Sequence, residues 1–439
     1  MSAFVLAVAG AALLLGFLYI VKNRRSRSKL PPSPSSLPLV GHLHLIGRLP
    51  HRSLHELHLR YGGDGGLLLL QLGRRRTLIV STAAAAADLF RNHDLAFSSR
   101  PYNAAAHKQT YGSRNISFWP YGDHWRRAKK VAVVHLLSQR RVDAFAPVRQ
   151  AEAAALVART RRAAEAGEAV QLKELLYGYT NSVVTRAAAG TAGTTAERLR
   201  QLLSHTATLL AGFQADDVLP DAAARVFRWA TGLEKKIDDM NAGWDRFLSE
   251  ILREEGGLEG FELTDDDAIK AIAKDMIAAA TETTAVTLEW ALAELARNPR
   301  VMAKLQDEIA RVAGNSEQGG RYEIPAKTAL LVNAWAIGRD PAAWDAPEEF
   351  RPERFLAGSE AKAVDLRGTD YQLLPFGAGR RICPGISFAL AALELALASL
   401  LRHFDWELPS GMRPADLDMV EAPGLSTPPR GCPLSSSPS

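Results

Sequence analysis

The residues best placed to do chemistry lie in the stretch 375–385, PFGAGRRICPG. Cys383 stands just before Pro384 at the start of an apolar helical pattern, ISFALAALELALASLLRHF. Its sulfur is therefore expected at the positive end of a helix dipole, beside unpaired backbone amides, a setting that stabilises thiolate. Gly377, Gly379 and Gly385 remove side chains where a flat group could lie close to the backbone, Phe376 can pack beside the sulfur, and Arg381 supplies a fixed cation for a carboxylate. A buried cysteine in a glycine turn would need none of these neighbours. A second polar group, Glu282, Thr283 and Thr284, interrupts the apolar stretch MIAAATETTAVTL at 276–288. A carboxylate there is expensive to bury without a partner. Taken alone, these residues read more plainly as a carboxylate reaching solvent and two threonines bonded back to the preceding turn. The small Ala279 and Ala280 beside them would let something large and flat approach.

Such groups need rigid elements behind them. Apolar residues recur at three- and four-residue spacing in stretches such as 143–164 and 199–210, so most of the body reads as helix. The longest helix is expected from Thr264, with Asp267 completing a capping-box pattern, to Asn298 before Pro299. At about 50 Å it would cross the domain through its middle. Strand patterns are few: residues 66–72 and 76–80 predict a hairpin and 328–332 a further strand. The expected fold class is mainly α with small β-sheets.

Composition bounds the rest. With 439 residues, 47% hydrophobic and 23% charged, the chain can bury a large core and is not a disordered or fibrous sequence. Two cysteines exclude a disulfide framework or a four-thiolate zinc site and point to a reducing compartment. Five of the basic residues behind the net charge of +5, namely Lys22, Arg24, Arg25, Arg27 and Lys29, fall in the first 29 positions, where there is no acid. The remainder is neutral, so charge makes no case for nucleic acid. The uncharged run 3–21 followed by these cations predicts a single membrane span with the body on the cytosolic side. On that side the sequon at Asn115 is not glycosylated. The chain divides into an anchor and basic flank (1–29), a proline-rich hinge (30–43) and a body (44–439).

The pattern Phe376-x-x-Gly379-x-Arg381-x-Cys383-x-Gly385 resembles the haem-binding signature of the cytochrome P-450 superfamily. Residues 279–284, AATETT, resemble the family's oxygen-activation motif, with Ala280 where glycine is usual. Further segments, FRPERF at 350–355, NAWAIGRDP at 333–341 and the hinge, are similar to plant microsomal members. In WRRAKK, 125–130, Trp125 and Lys129 match a tryptophan and an arginine that contact a haem propionate; lysine keeps the charge and loses the fork.

The resemblance implies a cytochrome P-450 fold holding haem b (iron protoporphyrin IX), with Cys383 as axial thiolate and with Thr283 and Glu282 ordering water and passing protons. It implies a monooxygenase that inserts one oxygen atom from O2 into a small lipophilic plant secondary metabolite. Electrons would come from NADPH through NADPH–cytochrome P-450 reductase, docked on Arg126, Arg127, Lys130 and Arg380, at the endoplasmic-reticulum membrane. The substrate pocket would draw on 101–119, 209–218, the surroundings of Ala279, and 424–427.

One departure is large. Between residues 314 and 321 only NSEQGG stands where the family has a helix carrying Glu-x-x-Arg and a pocket strand, and a second shortening lies near 253–257. Arg354 is then expected to lack its partners, a loss of about 3–5 kcal/mol if the cation is buried. The alternative reading is an impaired remnant that cannot hold haem stably.

Overall fold

The computed structural model describes residues 30–438 apart from 39, 167–169, 190–193, 211–218, 220, 255–265, 309–313, 316–327, 357–362, 410 and 431–432. The expected anchor, Thr264 and the second cysteine of the chain, Cys432, lie outside the described residues.

In chain order, α1 (Pro50–Tyr61) leads into strands β1 (Leu67–Leu72) and β2 (Arg75–Val80), then α2 (Ala83–Asn92) and α3 (Asp123–Val131). The long helices α4 (Ala146–Glu165), α5 (Leu172–Ala189), α6 (Leu233–Glu254) and α7 (Asp266–Arg297) follow. Strand β3 (Ala329–Val332), helix α8 (Ile386–His403) and a terminal pair, β4 (Phe404–Glu407) with β5 (Ser435–Pro438), complete the frame.

The expected hairpin forms, antiparallel from Leu67 opposite Val80 to Leu72 opposite Arg75, and β3 joins it parallel to β2, Val332 opposite Val80. Alternation of side chains assigns its two faces. Leu68, Leu70, Leu72 and Ile79 pack on Leu54 and Leu57 of α1, while Leu67, Leu78 and Val80 pack on Ala85, Ala86 and Leu89 of α2. Thr82 caps α2 by accepting from Ala85 N (3.3 Å). The periodic stretch 143–164 is not one helix. A short helix, Gln139–Ala144, ends there and α4 begins at Ala146, because Pro147 fits a first turn and no interior position.

Helix α7 has 32 residues, about 48 Å at the usual rise. It buries Ile272 and Val286 on one side and Ile277, Thr284 and Leu288 on the other, as a helix in the middle of a core must. Around it the main core gathers Leu156 of α4, Leu176 and Tyr179 of α5, Trp244 and Phe247 of α6, and Leu400 of α8. Tyr179 closes the α5–α8 contact by donating its hydroxyl to Ala392 O (3.0 Å). Helix α8 is long and apolar enough to cross a membrane by composition alone, yet Phe388, Ala396 and Leu401 are core residues and the helix packs on α4 and α7.

The core contains a lysine. Lys274 of α7, 3% exposed, donates to Gln109 O (2.7 Å) and lies 5.0 Å from the Trp244 ring centroid. Burial pulls its pKa down to about 7, against the field of Asp275, which raises it. From about 7 to 10.5 the unfolded chain holds a proton that the folded chain sheds, so this residue makes stability rise with pH across that window. The slope approaches ~1.4 kcal/mol per pH unit. Lys274→Met should therefore be more stable than wild type below about pH 7, with the gain shrinking toward pH 10, in denaturant titrations read by fluorescence. Parallel pH profiles for the two proteins would contradict this.

Candidate active site

The loop before α8 is closed on itself and then gripped from outside. Cys383 N donates to Phe376 O (3.0 Å), which makes the intervening residues a tight loop, and Gly377 and Gly379 take positive φ of 70° and 64° inside it. Gly379 answers to protein neighbours: a Cβ there would come within 2.3 Å of Asp94 Oδ1 and 2.9 Å of Phe90. At Gly385 the φ is ordinary, −93°, and a Cβ would make only normal contact with the Cys383 sulfur. Asp94 accepts from Arg380 N and Nε (2.9 Å each).

The expectation that the helix start favours free thiolate is corrected here. Cys383 is half-buried; burial pushes its thiol above the ordinary value, outweighing the Gly385 amide (3.4 Å from Sγ) and the charge of Lys129. The sulfur is thus a protonated thiol until a metal displaces its proton.

Beside the loop stands a group of cations on one indole. Trp125, 4% exposed, donates Nε1 to Ile116 O (2.9 Å). Arg381 stacks over its ring at 4.2 Å and Lys129 lies over it at 5.2 Å. Arg381 donates to the carbonyls of Ser98, Ile116 and Trp119, which leaves two of its five N–H donors for a ligand. Burial first, and then the like charge of Arg100, pull Arg381 down to about 10. Arg100 is itself oriented by a bond from Nε to Ser117 O (3.1 Å). Sequence reasoning missed Arg100, since one arginine ahead of a proline looks like any solvated loop residue. Lys129 donates to Arg380 O (2.7 Å) and Ile382 O (3.4 Å).

Glu282 and Thr283 belong to a second set on α7. Ala279, Thr283 and Thr287 are exposed at four-residue spacing, a stripe on a helix otherwise largely covered. Thr283 donates to Ala279 O (2.6 Å), so its oxygen keeps its lone pairs for accepting. Ala280 packs toward the main core, so the alanine in place of glycine adds its methyl there and leaves the stripe unchanged. Glu282 is half-buried with its pKa raised by burial, while the Ser426 hydroxyl and the charge of Lys173 oppose the shift. Trp290 Nε1 donates to Thr427 O (2.8 Å), so the predicted 424–427 segment does lie against this helix.

Asp275 joins the two sets, a role with no local signal in the residues around it. From α7 it accepts from Asn115 Nδ2 (2.7 Å), Ile116 N (2.8 Å) and Ser117 N (2.9 Å), fixing the very loop whose carbonyls hold Trp125 and Arg381. Arg126, Arg127, Lys130 and Arg380 are all exposed on the outer side. Of the expected pocket segment 209–218, all but the first two positions lie outside the described residues.

Arg354 requires a correction. Its guanidinium donates to the carbonyls of Asp345 (2.7 Å), Ala346 (3.1 Å) and Glu349 (3.2 Å), and the Asp345 carboxyl is held below its ordinary value first by the hydrogen bond and charge of Arg351 and then by the charge of Arg354. A neighbouring turn supplies partners, so the penalty for an unpartnered cation does not apply.

The donor set fits haem. Among the described residues no cluster of three His, Cys, Asp or Glu side chains could hold a metal. A single sulfur at Cys383 suits an iron whose other ligands come from a macrocycle, and two adjacent guanidiniums suit that macrocycle's carboxylates.

A family profile described as Cytochrome P450 matches residues 31–256, 231–319 and 315–434. The chain is 36% identical to (+)-menthofuran synthase of Mentha piperita over 97% of each chain, and 36% identical to premnaspirodiene oxygenase of Hyoscyamus muticus over 94% of each. The first alignment spans 489 positions against a chain of 439, so the relative carries residues this chain lacks. A zebra fish cytochrome P450 solved with progesterone superposes with a TM-score of 0.71 at 22% identity, over 89% of this chain and 99% of that one, which shows the same fold. A thiol loop flanked by cations, a polar stripe on the central helix and relatives that match it almost end to end together make this chain a member of the cytochrome P450 family, the haem-dependent monooxygenases.

Proposed function

We propose that the chain oxygenates a small lipophilic plant metabolite at the endoplasmic-reticulum membrane, using electrons that pass from NADPH through a reductase. The observation that carries this reading is the arrangement around Cys383: one half-buried sulfur at a helix start, with Arg381 and Arg100 adjacent to receive carboxylates. Relatives named premnaspirodiene oxygenase and (+)-menthofuran synthase support an apolar substrate.

Haem, when bound through Cys383, supplies a thiolate-ligated iron that activates dioxygen. Arg100 and Arg381 would hold its carboxylates, with Trp125 backing Arg381 through its ring. Thr283 orders a water on the exposed stripe, and Glu282, whose pKa burial raises, exchanges protons closer to neutrality than an ordinary carboxylate. The exposed cations Arg126, Arg127, Lys130 and Arg380 form the face on which an acidic reductase docks. Residues 1–29 anchor the body from the cytosolic side.

The profile match falls into three stretches that meet at 231–256 and 315–319, which supports shortening at two places. With Arg354 satisfied by the 345–349 turn, the inactive-remnant reading loses its main energetic argument.

Two substitutions test this assignment. Cys383→Ser should abolish the thiolate-type Soret band in the carbon-monoxide difference spectrum of the reduced protein; an unchanged band would remove the assignment of Cys383. Thr283→Ala, reconstituted with reductase, should keep consuming NADPH while releasing peroxide in place of most product. Equal loss of NADPH use and product would make Thr283 a packing residue.

A further inference from the structure

Lys129 stands where the similar helix carries arginine, and its contacts differ from those of a carboxylate ligand. Its Nζ meets two carbonyls, Arg380 O (2.7 Å) and Ile382 O (3.4 Å), both in the loop that ends at Cys383. The approach is rigid. Trp125 and Lys129 are one turn apart on α3, and the ammonium lies over that indole, 5.2 Å from its centroid. Arg381 shares the same ring but sends its donors the other way, to Ser98, Ile116 and Trp119. An ammonium has three donors, and two are committed to the loop. A compact ammonium can sit where two carbonyls converge, whereas a planar fork is shaped for carboxylate. Asp94 grips the same stretch with opposite polarity, accepting from Arg380 N (2.9 Å). The Arg380 backbone is therefore held by a cation from α3 at its carbonyl and an anion at its amide.

The geometry points to Lys129 as a positioning residue for the thiolate: it clamps the carbonyls of Arg380 and Ile382, orients the Cys383 sulfur and places a positive charge beside it, leaving the carboxylates of haem to Arg381 and Arg100. This rests on the assignment of Cys383 as the iron ligand.

The test uses the full-length chain loaded with haem, as wild type and as Lys129→Met, Lys129→Gln and Lys129→Arg, read by haem per polypeptide, the carbon-monoxide difference spectrum and the iron midpoint potential. Lys129→Met should bind haem close to the wild-type ratio but show a several-fold larger share of the non-thiolate Soret band. Lys129→Gln keeps a hydrogen-bond donor without charge. It should recover the thiolate band while its midpoint potential moves negative of wild type, because losing a nearby cation favours the more positive ferric iron. Lys129→Arg should not restore the wild-type spectrum, since its fork does not fit the two carbonyls.

The opposite pattern overturns the proposal: haem lost in Lys129→Met, thiolate ligation intact in what remains, and recovery in Lys129→Arg, all marks of a propionate ligand. If Lys129→Met does not fold, Lys129→Gln decides alone, and a wild-type potential there rejects the charge beside the sulfur. A wild-type protein without any thiolate band would instead defeat the assignment of Cys383, and this proposal with it.

Discussion

Two donors from different parts of the chain converge on one oxygen, the carbonyl of Ile116, which accepts from Trp125 Nε1 and from Arg381 Nη1, both at 2.9 Å. The amide of the same residue donates to Asp275 on the central helix (2.8 Å). A residue gripped at both its amide and its carbonyl cannot drift without breaking two charge-assisted bonds and an indole bond together. The consequence is a chain of position: α7 fixes Asp275, Asp275 fixes the 115–117 backbone, and that backbone fixes Trp125, Arg381 and the loop of Cys383. The exposed stripe of Thr283 and the sulfur thus share one mechanical reference, although they belong to segments a hundred residues apart in sequence.

Local signals in the sequence were the ones that survived folding. The hairpin shows as two short apolar runs, as suits strands with a covering helix on each face, and α7 as a long pattern that ends before Pro299. The loop of Cys383 was readable because its glycines, arginine and cysteine are contiguous. What could not be read were long-range partners. Asp275 looks like a solvated polar position until Asn115, 160 residues earlier, is brought against it. Gly379 looked like clearance for a ligand, and only the fold puts Asp94 and Phe90 behind it. The thiol of Cys383 was misjudged in sign because a helix dipole can be inferred locally, whereas desolvation depends on everything packed around the sulfur.

Arg354 carries the same lesson. Its expected isolation came from reading the 314–321 segment as shortened, but an arginine with five donors can be satisfied by any turn that presents carbonyls at the right spacing. Residues 345–349 do so. On the other side of the short helical turn Pro352–Phe355, Glu353 is met by Lys304 (2.9 Å) and Arg300 (3.2 Å) from the helix Pro299–Glu308. The turn is thus tied on both sides by described groups outside that stretch.

The parallel pairing of β2 with β3 matters for how the molecule is made. Thr77 and Ala329 are register partners about 250 residues apart, so on a ribosome adding ~5–20 residues per second the outer edge of β2 waits roughly 10 to 50 s for its neighbour. During that interval Leu78, Ile79 and Val80 form an apolar strand with one row of backbone donors and acceptors unpaired, the arrangement that templates aggregation. Arg75 and Arg76, at the start of the same strand, place two charges on that waiting edge. Such charges slow self-association while the rest of the chain is completed.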